Sequence, residues 1–555
     1  MSSTIYYNVF FMLGGIAIMM FGMKFMGSNL EQLAGNNMKK MLGKMTSNRF
    51  AGVGIGATIT AIINSSTATT VMLVGFVNVG LMSLTQATSV IMGANIGTTI
   101  TAQILSLSGT DGLDINAIAA FIAAVGMMMT MVFKKDKIKK AGYIFVGIGM
   151  IFIGLKIMSK SVNGIIYIED NELHPVVKDL FQNENVFPLL LVLIGIVFTA
   201  LIQSSAAITG ILIALGSAIN FRTAVFIILG SNIGTCITSI ISSIGTSTNA
   251  KRTAIIHLLF NLLGCLICIV PLWIWTEQID SFMTIISGES MERKIANFHT
   301  LFNLGTTIVL LPFINLIVKL TERIIPDKKT PQEEKHRLTF IDDRFLETPP
   351  IAVGNIKNEI IKMAAIAREN INLSMSMLLD ENKEDVELIR DNEDAINFLN
   401  KSITDYLTKL SGKEMVIKDE QKVGSYYHVC SDVERIGDYA ENIMEYALKL
   451  RSAEINLSES AKKELSEMTD TVNLLFEAAL KAFGDRDTAM LSTVDVLEES
   501  IDQANIDLEA KHIDRLKKGL CTPQVGSIYL QTISNLERVG DHITNIAFSI
   551  KHYEK

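Results

Sequence analysis

Cysteine and proline are scarce in this chain of 555 residues, with five of the first and nine of the second. The cysteines show no paired spacing that would indicate a disulfide framework. Cys265 and Cys268 lie three apart in an apolar stretch without a second pair of ligands, which argues against a zinc site. Cys430 and Cys521 are expected to be buried thiols. A single proline, Pro523, follows residue 350, so this part of the chain favours long uninterrupted helices.

Charged residues are scarce in the first 323 residues, which carry 20 Lys and Arg and 14 Asp and Glu. The other 29 basic and 43 acidic residues lie further along the chain. A mean hydropathy of +0.35 is high for a soluble protein. We therefore expect a membrane domain over 1–323, a linker over 324–350 and an acidic soluble domain over 351–555. The acidity of the soluble domain argues against nucleic acid as a partner.

The sequence also lacks the motifs of common enzymes. It has no nucleotide-binding loop, no paired-histidine zinc motif and no nucleophile with an evident general base. We therefore expect a protein that is not an enzyme. The missing nucleotide loop also argues against an ordinary ATP-driven pump.

Long apolar runs predict membrane-spanning helices, because a span needs about 20 apolar residues. The predicted spans are 5–27, 115–133, 141–158, 253–276 and 296–320. Residues 28–47 place apolar residues at helical spacing beside lysines. This pattern predicts either a helix on the inner membrane surface or an ordinary loop helix.

The distribution of lysine and arginine predicts the orientation in the membrane, because short basic loops stay cytoplasmic. Basic residues cluster at 39–49, 134–140, 251–252 and 323–329, whereas the loops 161–186 and 277–292 are acidic. We expect a multi-pass protein of the cell membrane with its N-terminus outside and its C-terminal domain in the cytoplasm.

Two short polar strings recur inside the most apolar parts of the chain. The first string reads Asn-Ser-Ser-Thr-Ala-Thr-Thr over 64–70 and Gln-Ser-Ser-Ala-Ala-Ile-Thr over 203–209. The second reads Gly-Ala-Asn-Ile-Gly-Thr-Thr-Ile-Thr over 93–101 and Gly-Ser-Asn-Ile-Gly-Thr-Cys-Ile-Thr over 230–238. Polar groups are costly in hydrocarbon, so their duplication predicts a binding site where two internal repeats meet.

The repeats are expected over about 50–133 and about 187–276, each built from re-entrant hairpins and broken helices. Their hydroxyl and amide groups can donate to an oxyanion or coordinate a hard cation. Broken helix ends add free N–H groups for an anion and free carbonyls for sodium. The alternative is that small polar residues only hold helices together. One string alone would favour that alternative, but two aligned pairs favour a site.

A third internal similarity pairs a histidine with an asparagine four residues later. His257 precedes Asn261, and His299 precedes Asn303. Each pair shares one helix face. The pairs predict either a proton or substrate relay or a hydrogen-bonded contact between helices. We favour the contact, because both pairs lie near the start of a predicted span.

The soluble domain also repeats. Glu-Arg-Ile-Gly-Asp over 434–438 matches Glu-Arg-Val-Gly-Asp over 537–541, within amphipathic helices of about 25 residues that predict three-helix bundles. Two interpretations remain open. Either the carboxylates of Glu434, Asp438, Glu537 and Asp541 hold a metal, or Arg435 and Arg538 pair with carboxylates across the bundle.

At these motifs the chain resembles the type II sodium-dependent phosphate cotransporters, whose bacterial branch joins a shorter transporter to a cytoplasmic PhoU-like domain. The family mark is a repeated Gln-Ser-Ser, present here at Gln203 and with an amide one carbon shorter at Asn64. Ala206 and Ala207 stand where many relatives have hydroxyls, so the number of sodium ligands does not carry over from the family. The resemblance covers essentially the whole chain.

The resemblance implies an all-α fold, in which a polytopic α-helical membrane domain with two inverted repeats is joined to PhoU-like three-helix-bundle repeats. The implied function is sodium-coupled import of inorganic phosphate by alternating access, regulated by the PhoU-like domain. Alternatives are a membrane phosphate sensor that signals through that domain, or a transporter of another oxyanion. The expected partners are phosphate, sodium, the lipid bilayer, a second copy of the chain and a cytoplasmic regulatory protein.

The residues expected to bind substrate or sodium are those of the four strings: Asn64, Ser65, Ser66, Thr67, Thr70, Asn95, Thr98, Thr99, Gln203, Ser204, Ser205, Thr209, Asn232, Thr235 and Thr238. Gly97 and Gly234 are expected to set backbone bends. In the PhoU-like domain the resemblance implies a metal of unspecified identity at Glu434, Asp438, Glu537 and Asp541.

Overall fold

The structure is a computed structural model that describes residues 2–43, 48–109, 115–166, 181–183, 185–326, 337–380 and 383–553. Within these ranges the regular elements are helices, and no strand occurs. This confirms the predicted all-α class. The chain divides into two compact units, Met1–Lys329 and Thr330–Lys555.

The described residues of the first unit form fourteen α-helices. They are α1 Ser2–Gly43, α2 Arg49–Ile63, α3 Ser66–Asn78, α4 Leu84–Ser106, α5 Ile115–Val132, α6 Asp136–Ile166, α7 Pro188–Ile202, α8 Ser205–Leu215, α9 Phe221–Gly234, α10 Cys236–Ser242, α11 Thr248–Ile274, α12 Thr276–Ser287, α13 Met291–Leu310 and α14 Ile314–Ile324. Asn and Ser side chains cap several of their N-termini, as these residue types do in most proteins. Ser83, for example, forms a capping box with Gln86 at the start of α4.

Five segments of the described residues are long and apolar enough to cross a membrane: Tyr6–Ala34, Asp136–Ile165, Phe221–Ser242, Thr248–Ile274 and Met291–Ile324. Four of the predicted spans fall on these segments. The predicted span 115–133 is helical as α5, but it belongs to the shorter apolar helices. The additional long segment is Phe221–Ser242, which lies in the second repeat, where the sequence predicts broken helices.

The first helix differs from the prediction. Helix α1 runs without a break over 42 residues, so the first span and the predicted surface helix at 28–47 are one helix. Residues 28–34 read Ser-Asn-Leu-Glu-Gln-Leu-Ala, without proline, and most of them are good helix formers. Residues 44–47 of that prediction, and 167–180 of the predicted outer loop, lie outside the described residues.

Glycines bring α2 against α4 and α7 against α9. A methyl group added at Gly93 would collide with the carbonyl oxygen of Val53, and one added at Gly56 with that of Val90. The corresponding contacts in the second pair are those of Gly230 with Val192 and of Gly195 with Ile227. The two repeats therefore share the same backbone-to-backbone contacts at matching positions.

The expected bend at Gly97 is not found, because α4 continues through this residue. The glycine instead permits close packing, since a methyl group there would meet the carbonyl oxygen of Ala57. In the second repeat, Gly234 is the last residue of α9 and the helix is interrupted next to it, at Thr235.

The second unit contains six long helices in its described residues: α15 Pro349–Leu379, α16 Val386–Ser411, α17 Ile417–Ser452, α18 Glu459–Asp485, α19 Leu491–Lys517 and α20 Pro523–Phe548. Helices α15–α17 pack together as a first bundle, and α18–α20 as a second bundle. Contacts of α17 with α20 and of α15 with α18 join them. The predicted three-helix bundles are confirmed.

Part of the predicted linker is folded against the first bundle. The buried carboxylate of Glu359 accepts hydrogen bonds from the backbone N–H of Thr339 at 2.9 Å and of Ile341 at 3.3 Å. The Tyr406 hydroxyl donates to the carbonyl oxygen of Asp342 at 2.9 Å, and Phe345 is fully buried. The described linker residues after 336 are thus packed rather than a free tether, because their apolar side chains are buried among the helices.

Candidate functional site

The first polar string interrupts a helix. Helix α2 ends at Asn64, whose backbone is left-handed with φ 58°, and α3 begins one residue after Ser65. The Ser65 hydroxyl accepts a hydrogen bond from the N–H of Ala68 at 3.1 Å and so caps α3. The N–H groups of Ser66 and Thr67 in the first turn of α3 have no partner within the helix.

The second copy of the string makes the same interruption. Helix α7 ends at Gln203, which is left-handed with φ 60°, and α8 begins after Ser204. The Ser204 hydroxyl accepts from the N–H of Ala207 at 3.2 Å. Asn64 and Gln203 also place their own N–H groups on matching carbonyl oxygens, those of Thr60 and Thr199.

A left-handed backbone is unusual at a residue other than glycine. It costs roughly 1–2 kcal/mol for residues with a Cβ, and asparagine bears it best. In the described part of the chain, four residues other than glycine have positive φ: Asn64, Gln203, Glu454 and Arg486. Two of the four are the first residues of the two strings. Such strain is retained where a surrounding structure needs the conformation.

Several hydroxyls of the strings donate to carbonyl oxygens in their own helices. Thr70 donates to Ser66 and Thr209 donates to Ser205, at 2.8 and 3.0 Å. Thr98, Thr99 and Thr235 do the same within α4 and at the end of α9. This is ordinary behaviour for a threonine in a membrane helix, but it leaves the oxygen lone pairs available to coordinate a cation.

The first and second strings of repeat one meet directly. The hydroxyl of Thr101 on α4 donates to the side-chain oxygen of Asn64. The Asn64 side-chain nitrogen is buried and has no hydrogen-bond partner. Asn64 is therefore held by its oxygen and keeps two donor hydrogens for another group. In repeat two, Gln203 is exposed.

A buried hydroxyl pair also distinguishes the repeats. The Thr60 hydroxyl lies 3.0 Å from that of Thr69 in repeat one. In repeat two, Thr199 matches Thr60, but Ile208 stands at the position of Thr69. The buried hydroxyl of Thr199 therefore has no partner. The two halves of the candidate site are thus chemically unequal.

The second string of repeat two contacts the histidine–asparagine pairs. Asn232 donates to the side-chain oxygen of Asn303 at 3.0 Å, and Ser239 lies 3.1 Å from Nδ1 of His257. Asn261 donates to the sulfur of Cys236 at 3.3 Å. The helix-contact interpretation holds for these hydrogen bonds. His299, by contrast, is buried with both ring nitrogens unpartnered.

The helices that carry the four strings pack across the repeats. Helix α3 of the first repeat contacts α10 of the second, and α8 of the second contacts α4 of the first. Thr67 on α3 and Thr238 on α10 lie on the first of these contacting pairs, and both side chains are half-buried. The structure brings all four strings onto mutually contacting helices, whereas Asn95 makes a side-chain hydrogen bond only with the backbone of its own helix.

A cavity of about 400 Å³ borders the end of α4, and none of its lining residues is among the predicted site residues. Gln103 lines it and donates to Asn297 and to Thr300, at 3.0 and 2.8 Å. Arg293 also lines the cavity, and its guanidinium forms no ion pair within the described residues. A single arginine among polar residues near the start of a helix gives no motif that a sequence search could have found.

In the second unit, the acidic motifs meet carboxylates from a neighbouring helix. Single oxygens of Glu498, Asp502 and Asp541 lie within 4.8 Å of one another, an arrangement that could hold a cation. Glu537 is outside this group, although Asp541 is the first charge, after burial, that raises its pKa. The ion-pair alternative for Arg435 and Arg538 finds no salt bridge among the described residues.

The first bundle has a related but less acidic cluster. Asn397 stands at the position of Asp502 and donates to Glu393 at 3.2 Å. Burial, followed by the charges of Asp438, Glu441 and Glu434, raises the pKa of Glu393 to about 7. The predicted residues Glu434 and Asp438 thus face Glu393.

An apolar helical unit with two matching helix breaks and polar groups inside its apolar helices has the arrangement of an ion-coupled transporter. Residues 18–160 and 171–288 match the Na+/Pi-cotransporter family, and residues 360–447 and 465–550 match the PhoU domain. The chain belongs to the Na+/Pi-cotransporter family, in a form that carries PhoU domains. The family is one of transporters and not of enzymes, as expected.

Similar proteins extend over the whole chain or over one of its units. The "Putative inorganic phosphate export protein YjbB" of Salmonella typhimurium is 23% identical over 97% of this chain and 96% of its own length. The uncharacterised protein YqeW of Bacillus subtilis is 29% identical over 55% of this chain and 95% of its own length. The PhoU homolog 1 of Thermotoga maritima, a phosphate-specific transport system accessory protein, is 24% identical over 36% and 85%. No solved structure matches the chain.

Proposed function

We propose that the first unit is a sodium-coupled phosphate symporter that works by alternating access. The observation that carries this proposal is the pair of matching breaks at Asn64 and Gln203. Each break ends one helix and starts another with a serine cap. The helix starts supply N–H groups to an anion, and the helix ends supply carbonyl oxygens to a sodium ion. The neighbouring hydroxyl oxygens complete the cation ligands.

The string residues take different parts in this site. Asn64 has an unpartnered amide nitrogen, which suits an oxyanion. Ser66, Thr67, Ser205 and Ala206 contribute first-turn N–H groups. Threonines that already donate to their own helix keep lone pairs for sodium. Asn232 is held by Asn303 and positions the second string of repeat two.

We propose that the transport direction is import when sodium is more concentrated outside. The relatives named for phosphate export favour a second candidate, an exporter with the same site. Proteoliposomes with opposite imposed sodium gradients distinguish them. Import predicts that inward sodium drives phosphate inward and that reversing the gradient reverses the flux. Outward phosphate flux that does not depend on the sodium gradient would identify an exporter.

Gln203→Gly and Asn64→Gly test the site itself. Glycine accepts the left-handed backbone without strain, so these variants should fold while losing the amide groups. We expect phosphate flux to fall at least about tenfold, the loss of one good hydrogen bond to a charged ligand. Glu454→Gly is the matched control, because Glu454 is also left-handed but lies in the second unit. Undiminished flux in the first two variants would refute the site.

The second unit is proposed to regulate this transport from the cytoplasm, with the N-terminus of the chain outside, as the basic loops predict. A cation at Glu498, Asp502 and Asp541 fits the preference of hard metals for carboxylate oxygens. Metal analysis of the purified protein and of Asp502→Asn tests this site, since the variant should lose the metal. An equal metal content in both proteins would refute it.

A further inference from the structure

A cavity of about 370 Å³ opens at one end of the second bundle. It is bordered by the starts of two long helices, α18 after its cap Ser458 and α20 after its cap Thr522. Each helix start presents partial positive charge and N–H groups without helical partners. The cavity lies away from the acidic cluster of Glu498, none of whose residues line it.

Two polar side chains of α19 line the cavity without full hydrogen bonding. His512 is only 1% exposed, yet its Nε2 has no partner. Arg515 donates through Nη1 to both oxygens of Glu464, at 3.0 and 2.8 Å, while its buried Nη2 has no partner. Tyr529 supports both, because its ring stacks on His512 and lies 5.0 Å from the Arg515 guanidinium.

The first bundle shows what this end of a bundle looks like without such groups. At the offset of 105 that relates α16 to α19, Leu407 and Leu410 occupy the positions of His512 and Arg515, and both are fully buried. The equivalent of Glu464 is Glu359, which accepts N–H groups from the covering segment at 339–341. The first bundle is therefore closed by apolar packing and by its own chain.

Replacing two core leucines by a histidine and an arginine is unfavourable unless the new groups acquire partners. An unsatisfied buried polar group costs about 1–3 kcal/mol. Glu464 and Tyr529 supply only some of the partners that the His512 and Arg515 side chains require. Burial, and then the charge of Arg515, lower the pKa of His512, so its neutral ring still offers one N–H donor at pH 7.

We propose that this cavity binds a small oxyanion, namely phosphate or a phosphate monoester, at a site separate from the transport site. Arg515 supplies an unpaired guanidinium donor, His512 lies beside it, and the starts of α18 and α20 add N–H groups and a favourable field. Glu464 fixes the arginine and balances part of its charge. The site gives the cytoplasmic unit a means to sense phosphate directly.

Cys521 provides the measurement. Its thiol is half-exposed, in contrast to the buried thiol expected from the sequence, and it lines the cavity. A bound anion should cover the thiol and disfavour its thiolate. In the full-length protein, in sodium-free detergent solution, we expect inorganic phosphate or AMP to slow alkylation of Cys521 by at least about threefold relative to chloride. Mass spectrometry of the peptide that contains Cys521 gives the rate.

Ser458→Asp and Ser458→Asn form a matched pair of variants. Both residues are good N-caps, so α18 should remain intact, but only aspartate places a negative charge at the cavity. We expect protection to survive in Ser458→Asn and to be lost in Ser458→Asp. Equal protection in the two variants would overturn the proposal.

The remaining controls separate the two sites and the two ligand sources. Protection should persist in Gln203→Gly, and its loss there would assign the effect to the transport site and overturn the proposal. A lower protecting concentration for AMP than for phosphate identifies a monoester ligand, and the reverse order identifies free phosphate. Absence of protection by either up to about 10 mM, where even a millimolar site is largely filled, would overturn the proposal.

Discussion

At the scale of single residues, the two repeats differ in how they satisfy one buried threonine. Thr60 has a hydroxyl partner in Thr69, whereas Thr199 has none because the matching residue is Ile208. We expect Thr60→Val to lower the free energy of unfolding by about 1 kcal/mol, the usual value of one hydrogen bond. Thr199→Val should be neutral or stabilising. Thermal unfolding in detergent measures both, and the opposite order would contradict the hydrogen-bond assignment.

The carboxyl of Glu393 gives a prediction about pH. Its pKa is raised to about 7 in the folded protein, first by burial and then by neighbouring carboxylates. The folded state therefore holds this proton more tightly than the unfolded state, so its contribution to stability is present below about pH 4.5 and is lost as pH rises towards 7. Glu393→Gln should equal the wild type near pH 5 and be more stable near pH 8.

Hydrogen exchange of α16 in the full-length protein measures this difference. Glu445→Gln is the control, because Glu445 is an exposed carboxylate on α17 with only a surface ion pair to Lys449. A wild type that is equally protected near pH 5 and pH 8 would contradict the raised pKa.

At the scale of helices, the glycine contacts of the two repeats can be tested together. Gly93→Ala and Gly230→Ala would each push a methyl group into a backbone carbonyl of the partner helix. Overpacking of this kind typically costs about 1–3 kcal/mol, so both variants should unfold more easily. Gly305→Ala is the control in α13, because no atom lies within 4 Å of the added methyl group. Equal melting temperatures for all three would refute close packing at the two contacts.

The sequence predicted helices better than their exact interruptions. The polar strings predicted broken helices within the two repeats, because polar groups are costly in hydrocarbon, but the sequence did not place the breaks at 64 and 203. Nothing in the pattern distinguished Gly97, which continues a helix, from Gly234, which ends one. The reason is that both glycines serve the same close contact, and only the following residues differ.

Contacts between distant parts of the chain were beyond sequence reasoning. The hydrogen bond from Asn232 to Asn303 joins residues 71 apart, and the polar groups at Arg515 carry no motif. The prolines and charges of residues 324–350 predicted a linker, yet its part after residue 336 is folded. Its burial depends on the shape of the bundle that receives it, which composition does not reveal.

At the scale of the whole molecule, we expect the two units to have separate functions, transport in the first and regulation in the second. YqeW is matched over 95% of its length by 309 residues of this chain, so a relative close in size to the first unit exists. We expect a chain ending at residue 329 to transport phosphate in proteoliposomes, with a changed rate. Full-length protein is the reference. No flux from a folded truncated chain would show that the second unit is required for transport itself.

The glycine contacts between α2 and α4, and between α7 and α9, have a mechanical consequence. Where backbones touch at matching points along two helices, neither can slide past the other without breaking several contacts at once. We therefore expect the two helices of each pair to move together as a rigid body. If transport exposes a bound ion to the two sides in turn, we expect the movement between the repeats, where α3 contacts α10 and α8 contacts α4. A cross-link at either of these two contacts is expected to stop transport while leaving the packing within each helix pair intact.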